Sequence, residues 1–259
     1  MNEAEARATF NLNPALYDEM RPGYPASVLG GIRDFAMLGE SASVLEVGPG
    51  TGQASDFFIR GGYKFTGVDL GNALVDFANA KYIDFPNARF HHSRFEDWND
   101  LGDAYDLVLG AQCFHWLEPI PAIEKSAMLL RSGGTLALMW NTDQSQGTEF
   151  FLRSTPVHDR FRSVSDALQP GSSEGWFTRY AAVVRAHVDY QEPEVIEADW
   201  TAAFTADRWL RLRCTYSDDA LLAPLDRKAL HDELRAIIES MGGTITMQYR
   251  TLCLLARTW

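Results

Sequence analysis

Residues 44–53 have the sequence VLEVGPGTGQ, in which a short apolar run leads directly into the glycines Gly48, Gly50 and Gly52. Glycine lets the backbone turn tightly and approach a ligand closely, because it carries no side chain. A helix that begins after such a turn directs unpaired backbone amides toward the same space. The stretch therefore predicts a strand, a ligand-binding turn and a helix, in that order.

An acidic residue stands at the end of the next predicted strand. Asp69 closes the run 65–69, FTGVD, and Leu70 follows it. A carboxylate one strand after a glycine turn can accept hydrogen bonds from both hydroxyls of a ribose. Leu70 would then be an apolar neighbour of the adenine ring. The two features together predict a ligand that carries a nucleoside.

The glycine spacing distinguishes between nucleoside cofactors. A dinucleotide-binding turn of the form GxGxxG would need its third glycine at position 53, which is Gln53. A phosphate loop would need Gly-Lys-Ser/Thr, which does not follow here. A nicotinamide-dependent oxidoreductase is therefore disfavoured but stays an alternative, as does a non-catalytic binding or regulatory protein on the same fold.

The segment from residue 43 to about residue 141 alternates short apolar runs with helical patterns, which predicts an α/β fold with a doubly wound parallel sheet. Two glycines, Gly133 and Gly134, are expected to stop the helix before the fifth strand. The predicted strands cover 43–47, 64–70, 88–92, 105–110 and 135–140, and the predicted helices cover 54–60, 74–82 and 119–130.

Further elements are predicted on both sides of this core. Residues 21–25, RPGYP, contain two prolines and separate two helices. The remaining predictions are helices over 10–20, 26–37, 150–168, 176–186, 206–213 and 230–241, and strands over 195–200 and 244–258. We expect four parts: N-terminal helices that cover the cofactor site (1–40), a cofactor-binding core (41–141), a lid and substrate region with the sixth strand (142–243), and a terminal strand (244–259).

The pattern Glu46-x-Gly48-x-Gly50-x-Gly52, followed by Asp69, resembles class I S-adenosylmethionine-dependent methyltransferases. Residues 87–98, 105–109 and 129–136 are similar to other parts of that family's core. The segment 17–25, YDEMRPGYP, together with FHW at 114–116, is similar to its small-molecule branch, which includes methyltransferase type 11 and trans-aconitate methyltransferase-like proteins.

The resemblance implies a Rossmann-like sheet of seven strands with the last strand antiparallel, and a helical lid. It implies S-adenosyl-L-methionine as the cofactor and S-adenosyl-L-homocysteine as the product. Glu46 would meet the methionine ammonium directly or through water. Alternatively, Glu46 has a structural role and accepts hydrogen bonds from the amides of the glycine turn.

Two other segments hold candidate cofactor contacts by the same resemblance. The family binds the adenine amino group with an acid or amide after the third strand. Here Phe95 is the expected apolar contact, partly through its backbone amide, and Arg94 and Glu96 are the alternatives. Tyr17 and Arg21 are four residues apart on one helical face. Arg21 would pair with the cofactor carboxylate and Tyr17 would cover the methionine arm, unless this is simply a solvated helix end.

The residues after the fourth strand, Gln112 to Trp116, would face the crevice where ligands bind in open α/β sheets. Gln112 is a further candidate for cofactor binding. His115 is the candidate catalytic residue: it could deprotonate an acceptor hydroxyl, only hydrogen-bond the acceptor, or simply pack under the lid. Cys113 is predicted to be a small buried apolar residue.

Composition limits the remaining function classes. The 259 residues include 23 Lys and Arg against 35 Asp and Glu, a formal net charge of −12, which disfavours a nucleic-acid partner. The three cysteines lack the spacing of a metal site or a disulfide framework, and no apolar run is long enough to span a membrane. We expect a cytoplasmic enzyme that moves a methyl group to an oxygen (carboxylate or hydroxyl) or another nucleophile of a small molecule. RNA or protein as the acceptor is a lesser variant.

Overall fold

The computed structural model of the protein describes residues 9–99, 104–161 and 173–259. The predicted helix over 150–168 therefore lies partly outside the described residues, as do residues 1–8 of the predicted N-terminal part. The strands are β1 (Ser43–Val47), β2 (Lys64–Asp69), β3 (Ala88–His92), β4 (Tyr105–Ala111), β5 (Leu130–Asp143), β6 (Glu194–Thr205) and β7 (Thr244–Arg257).

These seven strands form one sheet in the order β3-β2-β1-β4-β5-β7-β6. Strand β1 pairs in parallel with both β2 and β4, and the parallel pairing continues from β2 to β3 and from β4 to β5. The last strand is antiparallel in this mixed sheet. The predicted doubly wound α/β fold is confirmed.

Helices connect these strands, and local sequence explains where some of them begin. The helices are α1 (Pro14–Met20), α2 (Ala26–Phe35), α3 (Ser55–Arg60), α4 (Asn72–Lys81), α5 (Pro119–Leu129), α6 (Glu149–Phe161), α7 (Ser173–Ala186), α8 (Ala206–Arg213), α9 (Ser217–Ala220) and α10 (Pro224–Ser240). A 3-10 turn covers Phe114–Trp116. Asn13 caps α1 by accepting a hydrogen bond from the Leu16 amide (3.0 Å).

The prediction that Gly133 and Gly134 stop the helix before the fifth strand is wrong. The helix ends at Leu129, and Leu130 is already extended, so Gly133 and Gly134 lie inside strand β5 and do not stop a helix. A Cβ at Gly134 would lie 3.0 Å from the carbonyl oxygen of Tyr105 in β4. Glycine is therefore needed at this position because the two strands approach closely where their register shifts.

Two compact units make up the chain, and neither is continuous in sequence. The larger unit contains residues 23–99, 104–142, 173–198 and 251–259 of the described chain, and the smaller unit contains residues 9–22, 143–161 and 199–250. The four-part division predicted above follows chain order and stays a prediction.

The core of the larger unit lies on both faces of the sheet, because successive residues of a strand point to opposite sides. Val44 and Leu45 of β1 are both fully buried and belong to different apolar clusters. Burial on both faces is the usual state of a central parallel strand. The smaller unit has its own apolar cluster, which includes Phe150, Trp209 and Leu234.

Candidate active site

The glycine turn follows β1 at the point where the strand order reverses. Strand β1 lies between β2 and β4, and ligands bind at such switch points, outside the carboxyl ends of the strands. Gly48, Gly50 and Gly52 all have positive φ angles, of 63°, 58° and 99°. A Cβ at Gly48 would lie 2.6 Å from the Cβ of Cys113, and one at Gly52 would lie 2.5 Å from the Tyr82 hydroxyl. The turn thus requires glycine for both conformation and space.

Asp69 ties the end of β2 to this turn. Its Oδ2 accepts a hydrogen bond from the Gly50 amide (3.0 Å), and its Oδ1 accepts one from the Gly71 amide (2.8 Å). Burial raises the pKa of the carboxyl group, and the amide hydrogen bonds oppose this rise. Each carboxylate oxygen has a second lone pair, so Asp69 can accept further hydrogen bonds from a ligand.

Glu46 lies beneath the turn and is 1% exposed. Its Oε2 accepts a hydrogen bond from the hydroxyl of Ser55 in α3 (2.6 Å). Burial, with a smaller contribution from the charge of Asp69, raises the pKa of Glu46 to about 8. The Gly50 amide of the turn donates to Asp69, not to Glu46, whereas Glu46 accepts from the Ser55 hydroxyl. The role of Glu46 toward the methionine ammonium stays a prediction.

Gln112 and Cys113 form the link between β4 and the 3-10 turn. Gln112 has a φ angle of 55°, which is uncommon for a residue with a side chain. Its side-chain nitrogen donates to the carbonyl oxygen of Asn141 (3.3 Å), whereas its buried Oε1 has no hydrogen-bond partner in the described chain. An acceptor buried without a partner at a switch point is suited to a ligand donor.

Cys113 packs against an apolar cluster of the core, and its thiol also makes a hydrogen bond that a purely apolar residue could not make. Its side chain is half-buried, and the thiol donates a hydrogen bond to the carbonyl oxygen of Val47 (2.8 Å). Burial and the nearby charges of Glu46 and Asp69 raise the pKa of the Cys113 thiol well above its usual value. The thiol is therefore neutral, and its role is to join the ends of β1 and β4.

His115 lies on the 3-10 turn, which is anchored from α7. The Tyr180 hydroxyl donates to the carbonyl oxygens of Phe114 (2.6 Å) and Leu117 (3.1 Å). The His115 ring is half-buried, and its Nδ1 lies 3.4 Å from Nε1 of Trp140, which donates to it. The turn therefore holds His115 near the carboxyl end of β4 with one ring nitrogen engaged.

The three candidate residues after β3, at positions 94–96, differ in the exposure of their side chains. The Phe95 side chain is 4% exposed and packs against Phe114 in the core (6.1 Å between ring centroids). Arg94 and Glu96 are exposed and form an ion pair with each other (3.4 Å). The Phe95 side chain is therefore part of the core, whereas the Leu70 side chain is 48% exposed.

Tyr17 and Arg21 belong to the smaller unit and are not a solvated helix end. Arg21 is half-buried, and its Nη2 donates to the carbonyl oxygen of Thr215 (2.6 Å). The guanidinium carbon lies 4.0 Å from the ring centroid of Tyr216 and 5.0 Å from that of Tyr17. Their roles toward a cofactor stay predictions.

Sequence reasoning missed Ser55 and the contact between Trp140 and His115. A serine at the start of the helix after the glycine turn is a detectable signal, because a buried carboxylate such as Glu46 needs a donor. Trp140 was recognisable as a residue at a strand end. Nothing in the sequence shows that its indole nitrogen would point at an imidazole 25 positions earlier.

Comparison with known proteins identifies the family. A profile described as "methyltransferase domain" matches residues 44–134. An uncharacterised methyltransferase of Schizosaccharomyces pombe is 31% identical over 236 residues, which cover 90% of this chain and 88% of the relative. The chain belongs to the S-adenosylmethionine-dependent methyltransferases.

Other similarities cover less or are more distant. A probable S-adenosylmethionine-dependent methyltransferase of Saccharomyces cerevisiae is 30% identical over 146 residues, 54% of this chain and 49% of the relative. The chain matches about half the length of several other curated relatives as well. The crystal structure of YcgJ from Bacillus subtilis has a TM-score of 0.58 at 16% identity, covers 90% of this chain and 99% of its own, and shares the fold.

Two features are absent from the described residues. No helix there has both the length and the apolar character that crossing a membrane requires. No group of three or more His, Cys, Asp or Glu side chains in that part of the chain could hold a metal ion.

Proposed function

We propose that this protein transfers the methyl group of S-adenosyl-L-methionine to an oxygen, carboxylate or hydroxyl, or to another nucleophile of a small molecule in the cytoplasm. The observation that carries the proposal is the Asp69 carboxylate hydrogen-bonded to the Gly50 amide at the switch point of the sheet. That arrangement places a carboxylate that can accept hydrogen bonds from ribose hydroxyls beside a glycine turn, as the binding of a nucleoside cofactor requires.

The residues at the switch point fit this cofactor. Asp69 would accept hydrogen bonds from the ribose hydroxyls, and the exposed Leu70 would lie against adenine together with the backbone of Phe95. The Oε1 of Gln112, which has no partner among the described residues, and the carboxyl group of Glu46 would be acceptors for the methionine ammonium. Two acidic groups around one turn favour a ligand that carries positive charge.

When bound, the cofactor supplies a methyl group on a positively charged sulfur. The protein's task in such a displacement is to align the acceptor with that methyl group and to exclude water. The aromatic rings around His115, which include Trp116 at 5.1 Å between centroids, favour a dry site. His115 would contact the acceptor from the end of β4.

The alternatives are less well supported. A nicotinamide cofactor is disfavoured because the third glycine of a dinucleotide-binding turn would stand at position 53, which is Gln53. The formal net charge of −12 disfavours nucleic acid as the acceptor and leaves a small molecule as the better choice. A non-catalytic binding protein would bind the cofactor without turnover.

The direct test is methyl transfer from methyl-labelled S-adenosyl-L-methionine to panels of small carboxylic acids, phenols and amines, followed by mass spectrometry. We expect a labelled product in one panel with the wild type and a loss of at least tenfold with Asp69→Ala. Cofactor binding without any labelled product, in these panels and in a metabolite extract, would contradict the enzyme proposal.

A further inference from the structure

The buried indole of Trp140 contacts His115 through its ring nitrogen. Trp140 is 1% exposed, and its Nε1 lies 3.4 Å from Nδ1 of His115. An indole N–H can only donate, so Nδ1 must be the acceptor and its lone pair must face the indole. In this arrangement Nδ1 carries no proton. A neutral imidazole then carries its proton on Nε2.

Surrounding rings hold this pair in place. Trp140 lies in β5 and packs against Tyr180 (5.8 Å between centroids) and Phe177 (6.4 Å) of α7. The Tyr180 hydroxyl also anchors the backbone of the turn that carries His115. Turning the imidazole over would put a C–H group against the indole N–H and leave that buried donor without its partner, which is unfavourable.

We propose that Trp140 is a positioning residue that fixes His115 as the Nε2–H tautomer, so that His115 acts as a hydrogen-bond donor and not as a general base. The assignment of the tautomer rests on geometry alone, whereas the role of His115 in methyl transfer rests on the proposed function.

The tautomer limits the acceptor that His115 can serve. Nε2 already carries a proton, and the lone pair of Nδ1 is engaged by Trp140. The acceptor must therefore present its own lone pair without losing a proton to His115. That lone pair forms the bond to the methyl carbon, the electron pair of the broken carbon–sulfur bond stays on sulfur, and no proton moves.

The test is a long-range 1H–15N NMR correlation spectrum of the protein labelled with 15N-histidine. The signals of His115 are those that disappear in the variant His115→Gln. We expect the Nε2–H pattern in the wild type and in the control Trp176→Phe, which alters a ring 6.1 Å from that of His115 between centroids but no hydrogen bond to His115 within the described residues. Trp140→Phe should shift the population toward the Nδ1–H form. An Nδ1–H pattern in the wild type, or an unchanged pattern in Trp140→Phe, would overturn the proposal.

A non-natural residue, an activity assay and a binding measurement complete the test. If Trp140→Phe does not fold, benzothienylalanine at position 140 keeps the ring shape and removes only the N–H group. On the acceptor found in the methyl-transfer screen, His115→Gln, which places an amide N–H near the Nε2 position, should keep activity within about tenfold, whereas a lost base would cost about 100-fold or more. The Nε2–H pattern in a protein that does not bind S-adenosyl-L-homocysteine would contradict the proposed function but not the tautomer.

Discussion

Glu46 and Asp69 are carboxyl groups at the ends of neighbouring strands with different partners. Asp69 accepts two backbone hydrogen bonds, whereas Glu46 accepts one from the Ser55 hydroxyl and is almost fully buried. Burial therefore dominates at Glu46, whose pKa rises to about 8. At neutral pH without a ligand Glu46 carries its proton, and it is poised to ionise when a cation approaches.

The first prediction concerns the stability cost of this buried acid. The folded protein holds a proton on Glu46 up to about pH 8, whereas the unfolded chain releases it near the ordinary value of 4.5. Between these values the folded state binds more protons, so its stability falls as the pH rises. Glu46→Gln removes this dependence and should raise the free energy of unfolding by roughly 1–3 kcal/mol at pH 8.

Urea unfolding at pH 5 and pH 8 measures this effect, and the gain should shrink toward the lower pH. The exposed Glu40→Gln is the matched control and should change stability at neither pH. A gain from Glu46→Gln that is the same at both pH values would show that the charge of Glu46 is not its cause.

Asp219 in the smaller unit has a lowered pKa, in contrast to Glu46. It is 1% exposed, forms an ion pair with Arg213, and its Oδ2 lies 2.8 Å from Nε2 of His231. Although burial raises the pKa of Asp219, hydrogen bonds and charge from these two partners outweigh it and lower the pKa below the usual value. This carboxylate therefore stabilises the fold while it is ionised.

The second prediction follows from that pairing. Asp219→Asn removes the buried one of the two carboxylates that pair with Arg213 and should lower the free energy of unfolding by about 3–5 kcal/mol at pH 7. Asp218→Asn is the control, because Asp218 also pairs with Arg213 but its side chain is 48% exposed. It should cost less than about 1 kcal/mol.

The pH dependence of this difference provides a second readout. A lowered pKa means that the contribution of Asp219 is present above the unfolded value and is lost as the pH falls through the folded value. Thermal unfolding of the wild type and Asp219→Asn should thus differ less at pH 3 than at pH 7. Equal destabilisation by the Asp218 and Asp219 variants would contradict the assignment.

At the level of elements, the short turn that carries His115 depends on helix α7. The Tyr180 hydroxyl bonds two turn carbonyl oxygens, and a Cβ at Gly110 would lie 2.2 Å from the Phe114 ring. The ring therefore folds back on β4 only because position 110 is glycine. An element of three residues is in this way fixed by partners distant in sequence.

The third prediction tests that anchor. Tyr180→Phe removes the donor to Phe114 and Leu117 and should lower the free energy of unfolding by about 1–2 kcal/mol. It should also slow turnover more than it weakens cofactor binding, because the displaced residue is His115. Tyr190→Phe is the control: within the described residues, the hydroxyl of this buried tyrosine donates only a long hydrogen bond, 3.4 Å, to Ile123. Parallel unfolding and kinetic assays of both variants measure the difference, and equal effects on turnover would contradict the anchor.

Elements with a clear local signal could be predicted from the sequence. The strand Ala88–His92 and the helix Ala206–Arg213 have the predicted boundaries, and Thr205 caps that helix through the Arg208 amide (3.3 Å). The length of β5 and the short helix Ser217–Ala220 could not be predicted. Their limits depend on pairing and packing with distant segments, which a local pattern does not contain.

The same distinction holds for the candidate site. The glycine turn and Asp69 could be predicted, because positive φ angles need glycine and the acid follows one strand later. The left-handed backbone of Gln112 and the burial of Phe95 could not, since neither residue type indicates its environment.

For the whole molecule, strand order determines where chemistry can occur. The order β3-β2-β1-β4-β5-β7-β6 puts the carboxyl ends of β1, β2 and β4 side by side, so residues far apart in sequence meet at one edge. Alternating strands and helices predicted the parallel sheet, and the family resemblance supplied the antiparallel last strand. The two discontinuous units were not predicted, because they depend on long-range contacts.

We propose that the edge formed by β1, β2 and β4 binds S-adenosyl-L-methionine, and calorimetric titration with the product S-adenosyl-L-homocysteine measures this binding. We predict binding to the wild type and equally to the exposed control Asp76→Ala, at least tenfold weaker binding to Asp69→Ala, none to Gly50→Val, and no binding of NAD. No binding of S-adenosyl-L-homocysteine to the wild type, or equal affinity in Asp69→Ala and Asp76→Ala, would contradict the account.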